Sequence, residues 1–359
     1  MKKALSAVAV GVIVLGAFYW HWRENGRPRN ELEILGSANA AQTADVDALA
    51  FNDHEGSIIF GGDIMLARTV EARAKSAGWE NVFTAIQDAL NTADCRVANL
   101  ESPFKKDKPA TQSGSLVFAA KPEAVAALTA GRISAVSLAN NHITDQGLGG
   151  LQETKALLSQ NSLVFGGAGE TQKEADAPRY LHCGTLKVGL VFGTYGTNFA
   201  ADGVLTTPLE GVAEIIKEAK NQADVVVVVV HWGSEYQTIP SPFQKELAHR
   251  YIDAGASLVI GSHPHVIQPI ESYNGGVIAY SLGNLVFDQA AGGEKTEAIL
   301  LRVAFSPQKT SYDVSPIQIK NYFQPQLAGR SGDVASHYLE TLNLDGWQWE
   351  GVVLSASAK

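Results

Sequence analysis

Polar residues of metal-binding type recur in this sequence at the ends of apolar runs. Asp63 closes Ile59-Phe60-Gly61-Gly62-Asp63, Asn99 and Glu101 follow a second run, and Asn140, Asn141 and His142 follow Ser137-Leu138-Ala139. His231 ends a run of six valines, Val225 to Val230, and His263 and His265 stand in Gly261-Ser262-His263-Pro264-His265. In open α/β sheets the carboxyl ends of the strands border one crevice, so separate segments deliver their polar groups to one place. Two carboxylates, an amide and four histidines gathered there describe a metal site. Neutral imidazoles and carboxylates suit Zn, Mn or Fe, and a carboxylate can bridge two cations that would otherwise repel each other. Water on such a cation has its pKa brought toward about 7 and supplies hydroxide at neutral pH. In-line phosphoryl transfer and carbonyl hydrolysis would both use it.

Each residue alone also has a plainer reading. Asp63 after two glycines is a turn or cap residue, Asn140 and Asn141 are turn formers, and Glu101 before Ser102-Pro103 is a solvated loop carboxylate. His231 is harder to set aside, because a polar ring at the end of a buried strand needs a specific partner. Pro264 restricts His263 to extended geometry, and residues two apart in an extended segment face the same way, so both imidazoles are expected to converge. His21, His54, His182, His249 and His337 lack such a context and read as surface or incidental core residues. Tyr195 and Asn198 in Gly193-Thr-Tyr-Gly-Thr-Asn198, with Asn99, Asn140 and Asn284, are candidate pocket residues whose alternative is turn formation.

The elements that must position these groups alternate between β-type runs and amphipathic segments, an α/β pattern. Strands are predicted at Ser57–Gly61, Asp94–Ala98, Ile133–Leu138, Lys187–Phe192, Asp224–Val230 and Ser257–Ile260. Only a sheet buried on both faces accepts the valine run. Helices are predicted at Asn81–Asn91, Pro122–Ala130, Gly147–Ser159, Leu209–Gln222 and Pro242–Ala254. After about residue 265 closely spaced strands suggest a second, more antiparallel sheet packed on the first, and the segment from about 328 reads as a helix and a short tail.

The N-terminus carries an addressing signal: Lys2 and Lys3 precede an apolar run from Ala4 to Trp20. Seventeen residues lie at the lower limit for a membrane span, and Tyr19, Trp20 and Trp22 suit an interface, so an uncleaved signal anchor over 1–23 is expected, with a cleaved signal peptide as the rival. Residues 24–55 read as a linker, 56–325 as the main domain and 326–359 as a C-terminal extension. The 359 residues carry 28 basic and 37 acidic side chains, a formal charge of −9, with no basic block beyond the N-terminus; nucleic acid is excluded as a partner. Cys95 and Cys183 are too few for a thiolate zinc cage. They read as small buried residues on strands, with a disulfide open to them outside the cytoplasm.

The succession Gly-Gly-Asp63, Asn99-Leu-Glu101-Ser-Pro, Leu-Ala-Asn140-Asn141-His142, His231-Trp-Gly, Gly-Ser-His263-Pro-His265 and Ser281-Leu-Gly-Asn284 resembles the bacterial capsule-synthesis CapA family, called PgsA in poly-γ-glutamate producers. That family resembles the calcineurin-like metallophosphoesterases, and the likeness covers roughly residues 57 to 325. The resemblance implies a four-layer α/β/β/α sandwich around one or two divalent metal ions. It makes Asp63 a ligand of one metal, Glu101 the bridging acid, Asn141 a ligand, His231 and His263 ligands of the second metal, His265 a ligand of the first, and His142 the acid or electrostatic stabiliser. The chain departs from the phosphoesterase Asp-x-His motif at Met65, a poor ligand for such cations, so one metal is expected to be weakly held or absent.

What the resemblance implies for function is a membrane-anchored protein of capsule or poly-γ-glutamate biosynthesis or export, its globular domain outside the cytoplasm, carrying a metal-dependent hydrolase site. Its expected partners are an anionic polymer or its precursor, membrane synthase subunits and the lipid bilayer. The alternatives are a noncatalytic subunit or polymer-binding scaffold with a degenerate metal site, and a secreted metal-dependent phosphoesterase.

Overall fold

The computed structural model describes residues 55–107, 111–198, 200–289, 293–307, 309–328, 337–338, 340–343, 348–350 and 353–358. The predicted anchor over 1–23, and the linker 24–55 apart from Glu55, lie outside the described residues. Among the described residues no helix is long and apolar enough to cross a membrane.

In chain order the strands are β1 (Gly56–Ile64), β2 (Cys95–Leu100), β3 (Ala135–Ser137), β4 (Val164–Gly166), β5 (Ala168–Gly169) and β6 (Arg179–Cys183). There follow β7 (Leu186–Thr194), β8 (Leu205–Thr206), β9 (Val225–His231), β10 (Leu258–Ser262), β11 (Ile270–Tyr273) and β12 (Gly276–Ala279). The remainder are β13 (Asn284–Val286), β14 (Glu297–Phe305), β15 (Thr310–Lys320), β16 (Gln324–Leu327), β17 (Gln348–Glu350) and β18 (Val353–Ala358). One sheet runs β17-β18-β15-β14-β1-β2-β3-β4, with β13 on β1 and β16 on β15; the other runs β11-β12-β10-β9-β7-β6. Strands β1 to β4 are parallel, as are β7, β9, β10 and β12, so each sheet brings its carboxyl ends to one edge.

The valine run shows how the layers form. Val227 and Val229 pack with Ile58, Phe60 and Val97 of the other sheet, while Val226, Val228 and Val230 pack outward against Val212 and Ile216 of the helix Val212–Lys220 and Leu247 and Tyr251 of the helix Pro242–Asp253. On the far side, Ile59, Ala98 and Val136 pack against Val70, Leu128 and Leu158 from three helices. Each sheet is therefore apolar on both faces, and each fully buried Val or Leu contributes roughly 1.5–3 kcal/mol. Pro at the first helical turn and a capping box of Ser241 with Gln244 fix where the helix Pro242–Asp253 begins.

Several expectations are corrected. The strands beyond residue 265 do not make a sheet of their own: β11 and β12 complete the β9/β10 sheet, while β13 to β18 extend the sheet of β1. The reason is that β2 covers only one edge of β1, and β14 pairs antiparallel with the other. The C-terminal segment is helical at 337–338 and 340–342 as expected, but the tail after it supplies β17 and β18, and β18 satisfies the outer edge of β15. A helix over Arg68–Ala77 went unpredicted because Val70 and Ala74 are its only buried apolar residues.

Cys95, at the start of β2, and Cys183, at the end of β6, form a disulfide with a Cα–Cα distance of 5.5 Å. They stand on strands as expected, but in different sheets, where the facing layers bring them together rather than leaving two separate thiols. The bridge closes a loop of 88 residues and staples sheet to sheet. Reducing it, or a Cys183→Ser substitution, is expected to lower the unfolding free energy by about 2–4 kcal/mol, read from urea midpoints with and without reductant. Equal midpoints would contradict the staple.

Candidate metal centre

Asp63 reaches the sheet edge because β1 shifts register against β2 between Phe60 and Asp63. A bulge of this kind re-aims the side chains that follow it. The preceding glycine is sterically required: a Cβ on Gly62 would lie 1.8 Å from the Gly283 carbonyl oxygen. The Asp63 carboxylate is fully buried; Oδ1 accepts from Asn99 Nδ2 at 2.7 Å and Oδ2 from the His263 backbone N–H at 3.2 Å.

His265 Nδ1 lies 3.3 Å from Asp63 Oδ2 and 2.9 Å from Asn284 Oδ1. Set between two acceptors, Nδ1 carries the hydrogen, which leaves the Nε2 lone pair facing Glu101 Oε1 at 3.5 Å. His231 ends β9 with Nε2 2.8 Å from Asn141 Oδ1 and Nδ1 3.9 Å from Asp63 Oδ1. Trp232 beside it is locked between Tyr251 and Tyr280 and donates to the Tyr280 carbonyl at 2.9 Å. The His263 ring lies 4.6 Å from that of His231 and 6.0 Å from that of His265. The two imidazoles do not converge through an extended segment as expected. His263 has φ +94° and His265 φ +58°, a left-handed turn in which the Pro264 carbonyl accepts from the Tyr236 N–H at 2.7 Å. Strain of this type is kept only where the surroundings over-determine it.

His142 stacks on Phe118 with ring centroids 3.9 Å apart and holds Nε2 3.8 Å from Glu101 Oε1. Its Nδ1 faces Asp145 Oδ2 at 2.8 Å, and the same oxygen accepts from the Phe118 N–H at 2.6 Å. Asp145 was missed in the sequence. Its signal is the three-residue spacing in His142-Ile-Thr-Asp145, which places a carboxylate one turn beyond the histidine.

The geometry thus gathers Asp63, Glu101, Asn141, His142, His231, His263 and His265 at one rim. Asn99, Asn140 and Asn284, expected in a substrate pocket, are instead buried behind it. Asn140 donates to Asn99 Oδ1 and the Leu100 carbonyl, and Asn284 braces His265, so these amides are occupied by other protein groups. Asn198 does stand at the rim, 3.1 Å from Asn141 and 3.4 Å from His142. Tyr195 is exposed, its ring 6.0 Å from Phe243, and touches the centre only by donating its backbone N–H to the His231 carbonyl. Met65 turns into the core, where its sulfur accepts from the Ala67 N–H, and offers nothing to the rim.

The donor set fits a divalent cation. Asp63, Glu101 and His231 offer ligand atoms all within 4.8 Å of one another. Glu101 Oε1 and His263 Nδ1 are buried with no hydrogen-bond partner. Such orphans are costly in a packed interior unless an ion satisfies them. Burial works against the Asp63 anion, but the hydrogen bonds from His265 and Asn99 and the electrostatic pull of the neighbouring imidazoles outweigh it and hold the carboxyl below its usual range. Glu101 goes the other way, pushed well above the usual range by burial and then by the Asp63 charge. Burial, and then the closeness of the His263 imidazole, press His231 well below an ordinary histidine; burial and His265 push His263 down to about 4. His231 and His263 are therefore neutral at neutral pH, the form that binds metal.

A family model described as "Bacterial capsule synthesis protein PGA_cap" matches residues 57–289. The chain belongs to this family. It is 31% identical over 326 residues to the PGA biosynthesis protein CapA of Bacillus subtilis, covering 89% of this chain and 81% of that one. It is 33% identical over 272 residues to the capsule biosynthesis protein CapA of Bacillus anthracis, covering 72% of this PGA_cap chain and 66% of the relative. Among solved structures, a 5'-nucleotidase from Candida albicans aligns over 81% of this chain and 54% of its own at 11% identity, with a TM-score of 0.42, a likeness too slight to argue from.

The opposed shifts have a measurable consequence in metal-free protein. Unfolded His263 takes up its proton near pH 6.5 and folded His263 only near 4, so stability falls as pH drops between those values. Glu101 has the reverse sign: the fold keeps a proton that the unfolded chain releases near pH 4.3, so its contribution is full below that pH and is lost as pH rises through the raised folded value. Glu101→Gln is therefore expected to stabilise the metal-free protein at pH 8 by about 1–3 kcal/mol in urea titrations, while abolishing metal uptake. Destabilisation at that pH would contradict the orphaned carboxyl.

Proposed function

We propose that this chain is a metal-dependent hydrolytic component of capsule or poly-γ-glutamate synthesis, acting on the anionic polymer or its precursor. The observation that carries the reading is the buried Glu101 Oε1, which has no hydrogen-bond partner and lies between His265 and His142. In this reading Asp63, Glu101, Asn141, His231, His263 and His265 hold one or two cations of the Mn, Zn or Fe type. When bound, such a cation supplies hydroxide near neutral pH and stabilises negative charge that develops on the substrate.

The chain's own residues do the rest. Asp145 accepts the Nδ1 hydrogen of His142, which fixes the ring so that Nε2 presents its proton toward the space beside Glu101. His142 then delivers that proton to the leaving group, and the Phe118 ring stacked on it limits its rotation and excludes water. Asn198 holds both Asn141 and His142, coupling the metal side of the site to the proton donor.

The placement proposed is the outside of the cell membrane, with segment 1–23 as anchor and synthase subunits as neighbours. The disulfide supports a place outside the cytoplasm, since such bonds persist in oxidising compartments. A second reading, a noncatalytic scaffold for a membrane synthase, is favoured by Met65, whose burial leaves the centre one ligand short of the Asp-x-His pattern. Cells carrying His142→Ala or Asp145→Asn separate the two. Catalysis predicts polymer output reduced about 100-fold or more at normal protein level and metal content; undiminished output would leave the scaffold.

A further inference from the structure

Beside the centre stands a cation that the site's own carboxylates do not neutralise. Lys295, in the short turn Glu294–Thr296, rests its Nζ 3.7 Å from the centre of the Tyr236 ring, and the Tyr236 ring lies 6.2 Å from that of His265. Among the described residues no carboxylate lies within ion-pair distance of this ammonium. Arg68 differs: its guanidinium is buried between Phe118 and Phe287, pairs with Asp288 and donates to the Ser115 carbonyl. Arg68 is spent on structure; Lys295 is not. Glu235, adjacent to Tyr236, acts on the Tyr236 hydroxyl.

The lysine is also held in register with the centre. Asn284 bonds His265 Nδ1 through Oδ1, and its Nδ2 donates to the Lys295 carbonyl at 2.9 Å and to Gln289 Oε1 at 3.2 Å. Gln289 in turn donates to the Tyr236 hydroxyl at 3.2 Å, which closes a ring of contacts from His265 back to the aromatic platform under Lys295. Tyr236 has φ +63°, a conformation an aromatic residue rarely adopts, and its N–H is tied to Pro264 between the two histidines. The strained residue thus mounts a cation beside His265.

We infer that Lys295 is the site's carboxylate receptor, set to take an acidic side group of an anionic polymer next to the bond presented to the centre. The charge balance explains the need. Glu235 stands beside Tyr236 on a chain whose formal charge is −9, and a polyanion approaches this part of the rim only where a cation offsets that field. A compact ammonium with rotatable donors accepts one carboxylate after another as a chain moves past, with no bidentate geometry to satisfy. Every residue of a γ-glutamyl chain carries one free carboxylate.

The inference rests on the polymer reading above, and binding measurements on the full chain in detergent with Mn²⁺ separate the two. A fluorescent γ-glutamyl oligomer and its α-carboxamide form serve as probes for wild type, Lys295→Ala and Lys295→Arg. Lys295→Ala is expected to weaken the acidic oligomer by about tenfold or more, Lys295→Arg to restore most of it, and the amidated oligomer to bind wild type and Lys295→Ala alike, with metal content unchanged throughout. Equal affinity of wild type and Lys295→Ala for the acidic oligomer overturns the assignment and leaves the polymer reading standing. Equal weakening of both oligomers overturns it as well, since that reports lost packing rather than a carboxylate contact. Failure of metal-loaded wild type to bind the acidic oligomer overturns both.

Discussion

Two carboxylates and four imidazoles, largely buried, crowd one end of this fold. Charges so close repel unless something offsets them, and burial removes the solvent that would ordinarily do so. The protein answers unequally. Asp63 keeps its charge by accepting from Asn99 and the His263 N–H beside His265, while Glu101 receives no comparable support and holds its proton. A divalent cation held among Asp63, Glu101 and His231 would take the place of that proton and use the buried lone pairs. The centre is thus built at the expense of metal-free stability, as is usual where function overrides local preference.

The rest of the architecture reads as what is needed to hold that arrangement still. Parallel strands deliver Asp63, Glu101 and His231 from the ends of three apolar runs, and cores on both faces of each sheet keep the strands from sliding. Close approach at Gly62, the left-handed turn at His263 and His265, and the amides of Asn99, Asn140 and Asn284 fix the ligands from behind. The Cys95–Cys183 bridge ties together the two sheets that contribute to the rim.

Much of this was legible in the residues. Six consecutive valines admit little but a strand buried on both faces, and polar residues at strand ends pointed to the rim. What was hidden depended on pairing across distance. Nothing local says that β14 will cover the free edge of β1, or that the start of β2 and the end of β6 will meet closely enough for a disulfide. The sequence suggests a ligand-facing role for Asn99, Asn140 and Asn284 because an amide's hydrogen-bonding capacity looks the same whether it points to solvent or to another side chain. His263-Pro264-His265 was read as extended from the usual restriction before proline, and the tertiary contacts of Tyr236 and Asp63 overrode it. Asp145 was overlooked because its role exists only once His142 turns toward it.

The claim underneath all of this is that a cation sits among Asp63, Glu101 and His231. Crystals grown with Zn²⁺, with diffraction recorded on both sides of the zinc absorption edge, test it most directly. The account predicts an anomalous peak within about 2.0–2.3 Å of atoms from all three side chains. An empty cluster, or zinc held only by residues outside it, would contradict the account.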